Sequence, residues 1–189
     1  MTKKTEVNIK NTIADSLIQL VQKENYTKIT VEKIVESAGI SRSTFYNYFD
    51  NKDELLEWVF IRDIDSSVMP SIKYDIKNHV LLMLFSCIKA NRGFYERAVN
   101  IKNGIGFSSM VITSGCYHLS SLMMDSLYPN YEKKELNALI QGAGLASVLY
   151  QWIKQGMVIP IDEIINDFCR ANAMPLFTSE LNIKMGENR

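Results

Sequence analysis

Proline, cysteine and net charge are all scarce in this chain, and each scarcity removes a class of protein. With four prolines in 189 residues and 47% hydrophobic content, the chain reads as globular and helix-rich. The three cysteines, Cys87, Cys116 and Cys169, are odd in number and far apart. They form neither a disulfide framework nor a zinc-ligand spacing, so a reduced, cytoplasmic setting is expected. Formal net charge is zero, from 21 basic and 21 acidic residues. That balance argues against a broad, non-specific nucleic-acid binder but not against one that reads sequence through a local surface. Long hydrophobic runs are missing too. The nearly continuous apolar stretch 79–88 is ten residues, too short to span a bilayer. The first ten residues carry charge without the apolar core of a signal peptide.

Catalytic signatures are equally absent. His79 and His118 sit in apolar surroundings without metal-ligand spacing and read as core histidines. Gly104-Ile105-Gly106 is followed by no GKS/T and preceded by no strand, so it is no phosphate cradle. No GxSxG elbow and no paired catalytic carboxylates occur. The methionines are scattered at helical spacing as core filler. No enzyme activity, metal or cofactor is expected.

What is present is concentrated in 30–52, TVEKIVESAGISRSTFYNYFDNK. Thr30 is a good N-cap, and Ile29 and Ile34 bracket it as a hydrophobic staple. Val31, Ile34, Val35 and Ala38 share one helical face, and Gly39 follows where a helix end favours positive φ. Ile40 and Phe45 repeat the staple around a second cap, Ser41. Two helices punctuated about three residues apart have the spacing of a helix-turn-helix. On the second helix, expected over 41–49, Phe45, Tyr48 and Phe49 point inward. Ser43, Tyr46 and Asn47 point outward, flanked by Arg42 and Thr44. That outer face has no carboxylate. Its hydroxyls, amide and guanidinium suit phosphates and base edges, Arg favouring guanine and Asn adenine. Asn51 caps the next helix with Glu54 completing a capping box, and Lys52 is expected beside a phosphate strand.

The run Thr30, Ala38-Gly39-Ile40-Ser41, Thr44-Phe45-Tyr46, Phe49, Lys52 and Leu55 resembles the DNA-binding domain of the TetR family of bacterial transcriptional regulators. Tyr48 stands where the family most often has His. The resemblance implies DNA contacts from Thr30, Ser41, Arg42, Ser43, Thr44, Tyr46, Asn47 and Lys52. It also implies that the fourth helix carries the state of a bound effector to the reader. It covers roughly the first third of the chain. Residues 1–49 hold seven basic and five acidic residues, a slight basic bias.

Around this stretch the periodicity predicts an amphipathic helix over 8–24, with Ile9, Ile13, Leu17, Leu20 and Val21 on one side. Residues 1–7, with Lys3 and Lys4, are either a frayed terminus or an arm that touches phosphates. A helix over 51–68 is expected to end at Pro70. Helices follow over 71–90, 94–100, 107–127, 132–156 and 160–174, the last opening at Pro160. Residues 179–189 read as a polar tail. The fold class is all-α with about nine helices: a three-helix reader over 1–52, then a helical effector-binding and dimerisation domain over 53–189.

Two features of this body point to function. From Phe107 to Met124 there is no charged residue, yet Ser and Thr are frequent. Scattered hydroxyls, Gly115 and His118 argue against a membrane helix. Two readings remain: a wall of a small-molecule pocket lined by Phe107, Met110, Tyr117 and Trp152, or a core helix whose hydroxyls bond its own backbone. Gly142, Ala143, Gly144, Ala146 and Ser147 form a smooth strip, and each mid-helix glycine costs about 1 kcal/mol relative to Ala. A close helix neighbour would offset that cost. Gly142, Ala146, Ile161, Ile165 and Phe168 are therefore expected at a homodimer interface, a four-helix bundle across a two-fold axis. The expected partners are a double-stranded operator, a second copy of the chain and an unidentified small-molecule effector, with no membrane. The expected function is a repressor that its effector releases from DNA. The alternative is a DNA-binding activator whose body binds a partner protein.

Overall fold

The computed structural model describes residues 3–73, 79–101 and 107–173; at 3–5, 71–73, 107–108 and 172–173 it describes the backbone alone. Among these residues the chain forms α-helices and short 3-10 turns, with no strand. The helices are α1 (Lys3–Lys23), α2 (Val31–Ala38), α3 (Arg42–Tyr46), α4 (Lys52–Lys73) and α5 (Val80–Ala90). They continue as α6 (Arg92–Ala98), α7 (Phe107–Leu127), α8 (Lys134–Lys154) and α9 (Ile161–Ala173). The all-α architecture is as expected.

Helix α1 starts five residues before the expected boundary at Asn8, so the helix takes up most of the supposed arm. Nothing in that segment breaks a helix, and Glu6 in the first turn complements the helix dipole. The polar tail expected over 179–189 lies outside the described residues. Pro70, expected to end α4, lies inside it. Close to the C-terminus a proline removes a single ladder bond, to the Ser66 carbonyl. Both residues are exposed, so solvent can take the freed acceptor. The helix expected over 71–90 is described only from Val80.

Helix α4 is the spine. It packs on α1 on one side and on α5 and α7 on the other. Its Leu55, Leu56, Val59, Phe60 and Ile64 are buried in one core that runs from the reader into the body. At the far side of that core Trp152 meets Phe85 edge-on at 5.0 Å and donates its indole N–H to the Ile159 carbonyl at 2.9 Å. The α7–α8 pair has the most extensive contact in the molecule, and the smooth strip explains it. A Cβ on Gly142 would stand 2.8 Å from the Tyr117 Cα and 3.1 Å from the Cys116 carbonyl oxygen. Gly142 thus faces α7 of the same chain, and Ala146, one turn on, is buried. They do not face outward, which corrects their assignment to a subunit interface: the close neighbour that offsets the glycine is internal. Ile161, Ile165 and Phe168 on α9 are likewise half-buried against their own core.

A contrast between neighbouring glycines follows. A methyl at Gly142 meets backbone that cannot yield, so Gly142→Val should destabilise by at least ~2 kcal/mol through overpacking. At Gly144 the nearest atom to an added Cβ is a Phe168 ring carbon at 4.0 Å. Gly144→Ala should therefore stabilise by about 0.5–1 kcal/mol through helix propensity alone. Thermal unfolding of the two variants beside the parent checks both signs.

Candidate nucleic-acid interface

The reader is set by its caps. Thr30 Oγ1 accepts from the Lys33 N–H at 3.4 Å to open α2. At the other end Gly39 takes φ 65°. Its N–H donates to the Glu36 carbonyl at 3.2 Å, and the Ile40 N–H reaches the Val35 carbonyl at 3.0 Å. That bond pair closes a helix on a left-handed glycine. Ser41 Oγ then accepts from the Thr44 N–H at 3.0 Å to open α3. Phe45, with no exposed surface, packs on Phe49 at 5.9 Å, and Phe49 meets Trp58 of α4 at 5.7 Å. Burial of this one face fixes α3 against α4 and turns the other face to solvent.

On that outer face Ser41, Arg42, Ser43, Tyr46 and Asn47 are all exposed, with Thr44 half-buried beside them. Regular helix stops at Tyr46, and Asn47 is its αR cap, so the expected extent to Phe49 shortens to an α3 followed by a turn. Ser41 Oγ lies 2.9 Å from Ser43 Oγ and 2.8 Å from Thr44 Oγ1, which gathers three hydroxyls at the helix N-terminus. Arg42 lies over the Tyr46 ring at 5.6 Å. Its Nη1 pairs with Glu32 of α2 at 2.6 Å, both groups exposed. The Glu32 carboxyl is held below its usual range, first by its own backbone N–H, then by the Thr30 hydroxyl, with Arg42 a smaller influence. A carboxylate therefore stands against the reading face, although α3 itself has none.

Lys52 departs from the expectation that it faces phosphate. Its ammonium donates to the Tyr26 and Ile29 carbonyls, both at 2.8 Å, and lies 4.3 Å from the centre of the Tyr26 ring. Desolvation lowers its pKa, partly offset by Asp53. Tyr26 in turn donates to the Lys52 carbonyl and to Asp53 Oδ1. Asn51 Oδ1 accepts from the Asp53 and Glu54 N–H groups at 2.9 Å each, and Glu54 reaches back to the Asp50 N–H at 2.6 Å, one residue before the cap. This cluster clamps the start of α4 to the loop before α2.

The sequence reading missed the polar joints between reader and body. Asp63, buried on α4, accepts from Tyr95 of α6 at 2.7 Å and from Arg62 Nη2 at 3.0 Å. Arg62 also reaches Asp15 of α1 at 3.0 Å. Along the α4–α7 seam Ser114 donates to Glu57 at 2.6 Å and His118 lies 2.8 Å from Asp65. The charged residues Glu57, Arg62, Asp63 and Asp65 of α4 were the only signal for these joints.

Burial holds Tyr26 and Tyr95 neutral above the ordinary tyrosine value of 10.0, with Asp53 and Asp63 adding to the respective effects. Burial also pushes the Cys116 thiol up to about 12. The unfolded chain ionises these groups first. Their stabilising effect is thus complete below the unfolded values and is lost as pH rises past them. Urea midpoints should hold steady up to about pH 8 and fall above about pH 10.

Of the expected pocket residues, Met110 and Tyr117 lie exposed and Trp152 lies in the core, so the fold does not bring them together. The Phe107 side chain is outside the described residues.

Comparison with known proteins agrees with this geometry. Residues 13–59 match the model of bacterial regulatory proteins of the tetR family, and residues 78–171 match a transcriptional regulator C-terminal region. The chain is 36% identical over 85 residues to the HTH-type dhaKLM operon transcriptional activator DhaS of Lactococcus lactis subsp. lactis (strain IL1403). That stretch is 45% of this chain and 46% of the relative, so the match spans about half the length of either. Among solved structures, a dihydroxyacetone kinase operon activator DhaS superposes with TM-score 0.61 at 23% identity, over 87% of this chain and 96% of that one. The fatty acid degradation regulator FadR from Bacillus halodurans gives 0.55 at 18%, over 88% and 98%. These two likenesses establish the fold. With a capped helix-turn-helix whose polar face is exposed, and family matches covering both the reader and the body, the chain belongs to the TetR family of DNA-binding transcriptional regulators.

Proposed function

We propose that the chain binds a pseudo-palindromic operator as a homodimer and represses transcription until a small molecule in its body releases it. The observation that supports this most is the two-faced α3: Phe45 is sealed inward while Arg42, Ser43, Tyr46 and Asn47 stand in solvent. Ser43 and Asn47 lie nearest the base edges. Thr30, Ser41, Thr44 and Tyr46 hold phosphates, and Arg42 serves either. Lys52 supports the frame from inside. Two copies of α3 would enter successive major grooves about 34–36 Å apart.

The reader occupies 1–52 and the effector and dimerisation domain 53–189. Pairing is supported by the outer side of α8, where Leu136, Leu139 and Ile140 are each more than half exposed. Such a contiguous apolar face favours an isologous contact. An effector need only favour the wrong spacing of the two readers by a few kcal/mol to release DNA.

A second reading, activation through a partner protein bound to the body, is favoured by one finding: the relative at 36% identity is named as an operon activator. A gel shift on the promoter beside the chain's own gene tests DNA reading. Tight, specific binding is expected, and Tyr46→Ala should weaken it. Equal affinity for that promoter and random DNA at physiological salt would refute it. Transcription from the same promoter, with and without the protein, gives the sign of regulation.

A further inference from the structure

Among the described residues a cavity of about 220 Å³ opens between α5, α7, α8 and α9. Its walls are apolar, built from Leu81, Leu119, Met123, Leu145 and Phe168 among others, with Ser120 and Gln141 as its polar side chains. Among the described residues no charged side chain lines it. It is distinct from the void between α4, α6 and α7, which at about 20 Å³ has room for one water at most.

Ser120 is the telling residue. It is 8% exposed. A helical hydroxyl in that position ordinarily bonds back to the carbonyl four residues earlier, as Ser16 does to Thr12 at 3.0 Å and Thr113 to Ser109 at 2.8 Å. Among the described residues Ser120 makes no such bond, and the Gln141 amide across the cavity makes none either. One hydroxyl and one amide are left open on a mostly apolar slot. Among the described residues no buried side-chain nitrogen or oxygen lacks a partner, so these two groups reach solvent and stand ready to meet a ligand that enters the cavity.

We propose that this cavity is the effector site and that it takes a small, uncharged, largely apolar molecule with a single hydrogen-bonding head, held by Ser120 and Gln141. The proposal rests on reading the body as effector-binding. A carboxylate or phosphate would lose water there with no cation among the described residues to meet it. The cavity is smaller than the pockets of roughly 300–1,000 Å³ that take drug-sized molecules, so a smaller ligand fits it. The site spans four helices, including α7, which packs along α4. A molecule seated there touches α7 and bears on α4, against which α3 is packed, only through α7.

The test uses the purified full-length chain with 1-heptanol and, at neutral pH, heptanoate. Titration calorimetry and thermal unfolding read binding, and the gel shift separately reads DNA affinity. Saturable 1-heptanol binding at least ten-fold tighter than heptanoate is expected. Ser120→Ala should weaken it several-fold, and Ser120→Leu, which fills the slot, should abolish it with helicity retained. No 1-heptanol binding, equal binding of heptanoate, or undiminished binding by Ser120→Ala would overturn the proposal. Ser120→Ala decides if Ser120→Leu fails to fold. A promoter shift without 1-heptanol binding sinks the cavity and leaves the DNA reading. Binding of 1-heptanol without a promoter shift does the reverse.

Discussion

Asp63→Ala should lower the free energy of unfolding by about 3 kcal/mol, the lower end of the cost of breaking a buried ion pair from one side. The carboxylate holds three elements at once. Oδ2 takes the Tyr95 hydroxyl of α6, Oδ1 takes Nε and Nη2 of Arg62, and Arg62 passes the link to Asp15 on α1. Without it the Tyr95 hydroxyl is a donor sealed in the core, 4% exposed, with no acceptor. Arg62 retains Asp15 and some solvent, which keeps the loss from reaching the upper end of the range. Asp63→Asn keeps an acceptor for Tyr95 and should cost less, as should Tyr95→Phe, at about 1–2 kcal/mol. Urea unfolding checks the series: the midpoint should drop in that order with an unchanged slope. A loss below ~0.5 kcal/mol for Asp63→Ala would show that the joint is idle, since surface changes ordinarily fall within that range.

The reader was legible because its determinants are local. Thr30, Gly39, Ser41 and Asn51 act on backbone groups within a few residues of themselves, so their roles can be read from spacing. The same logic fails for long flexible side chains. Nothing in the spacing distinguishes a Lys52 that reaches outward to phosphate from one that folds back on two carbonyls of the preceding loop. Nor does it show that Glu32, on the first reader helix, meets Arg42 on the second. Both facts depend on how closely α2, α3 and the start of α4 approach one another.

In the body, periodicity located the helices but not their neighbours. A strip of small residues implies a close neighbour without naming it, and the neighbour of Gly142 proved to be α7 of the same chain. The apolar face of α8 that stays exposed is the one with Leu136 and Ile140, large residues that a strip of small ones does not reveal. Of the two readings of the hydroxyl-rich helix, the backbone-bonded one holds at Thr113, whereas Met110, Tyr117 and Trp152 of the expected pocket are not brought together. Thr113 bonds its own backbone, whereas Ser120, about two turns further along the helix, opens on a cavity. Residue type alone cannot separate them, because the choice is made by what α5 and α9 leave uncovered.

Asn47→Ala should reduce affinity for the specific operator by roughly ten-fold or more and leave random-DNA binding nearly unchanged, since an amide on a base edge reads sequence. Thr44→Ala should lower both about equally, because a phosphate contact positions without specifying. Arg42 is the more revealing case. In the free chain its guanidinium is tied to Glu32 at 2.6 Å and lies over Tyr46. To reach a base or a phosphate it must leave Glu32, which adds a like charge beside the DNA backbone. Both effects vanish in Glu32→Gln, so that variant should bind operator more tightly than the parent, while Arg42→Ala should bind at least ten-fold more weakly. The two changes should not add. With Arg42 removed, Glu32→Gln retains only the relief of repulsion, which shrinks as salt screens it. Binding isotherms for the four proteins at two salt concentrations resolve these terms. A Glu32→Gln gain that persists in full without Arg42 would show that the exposed pair plays no part in recognition.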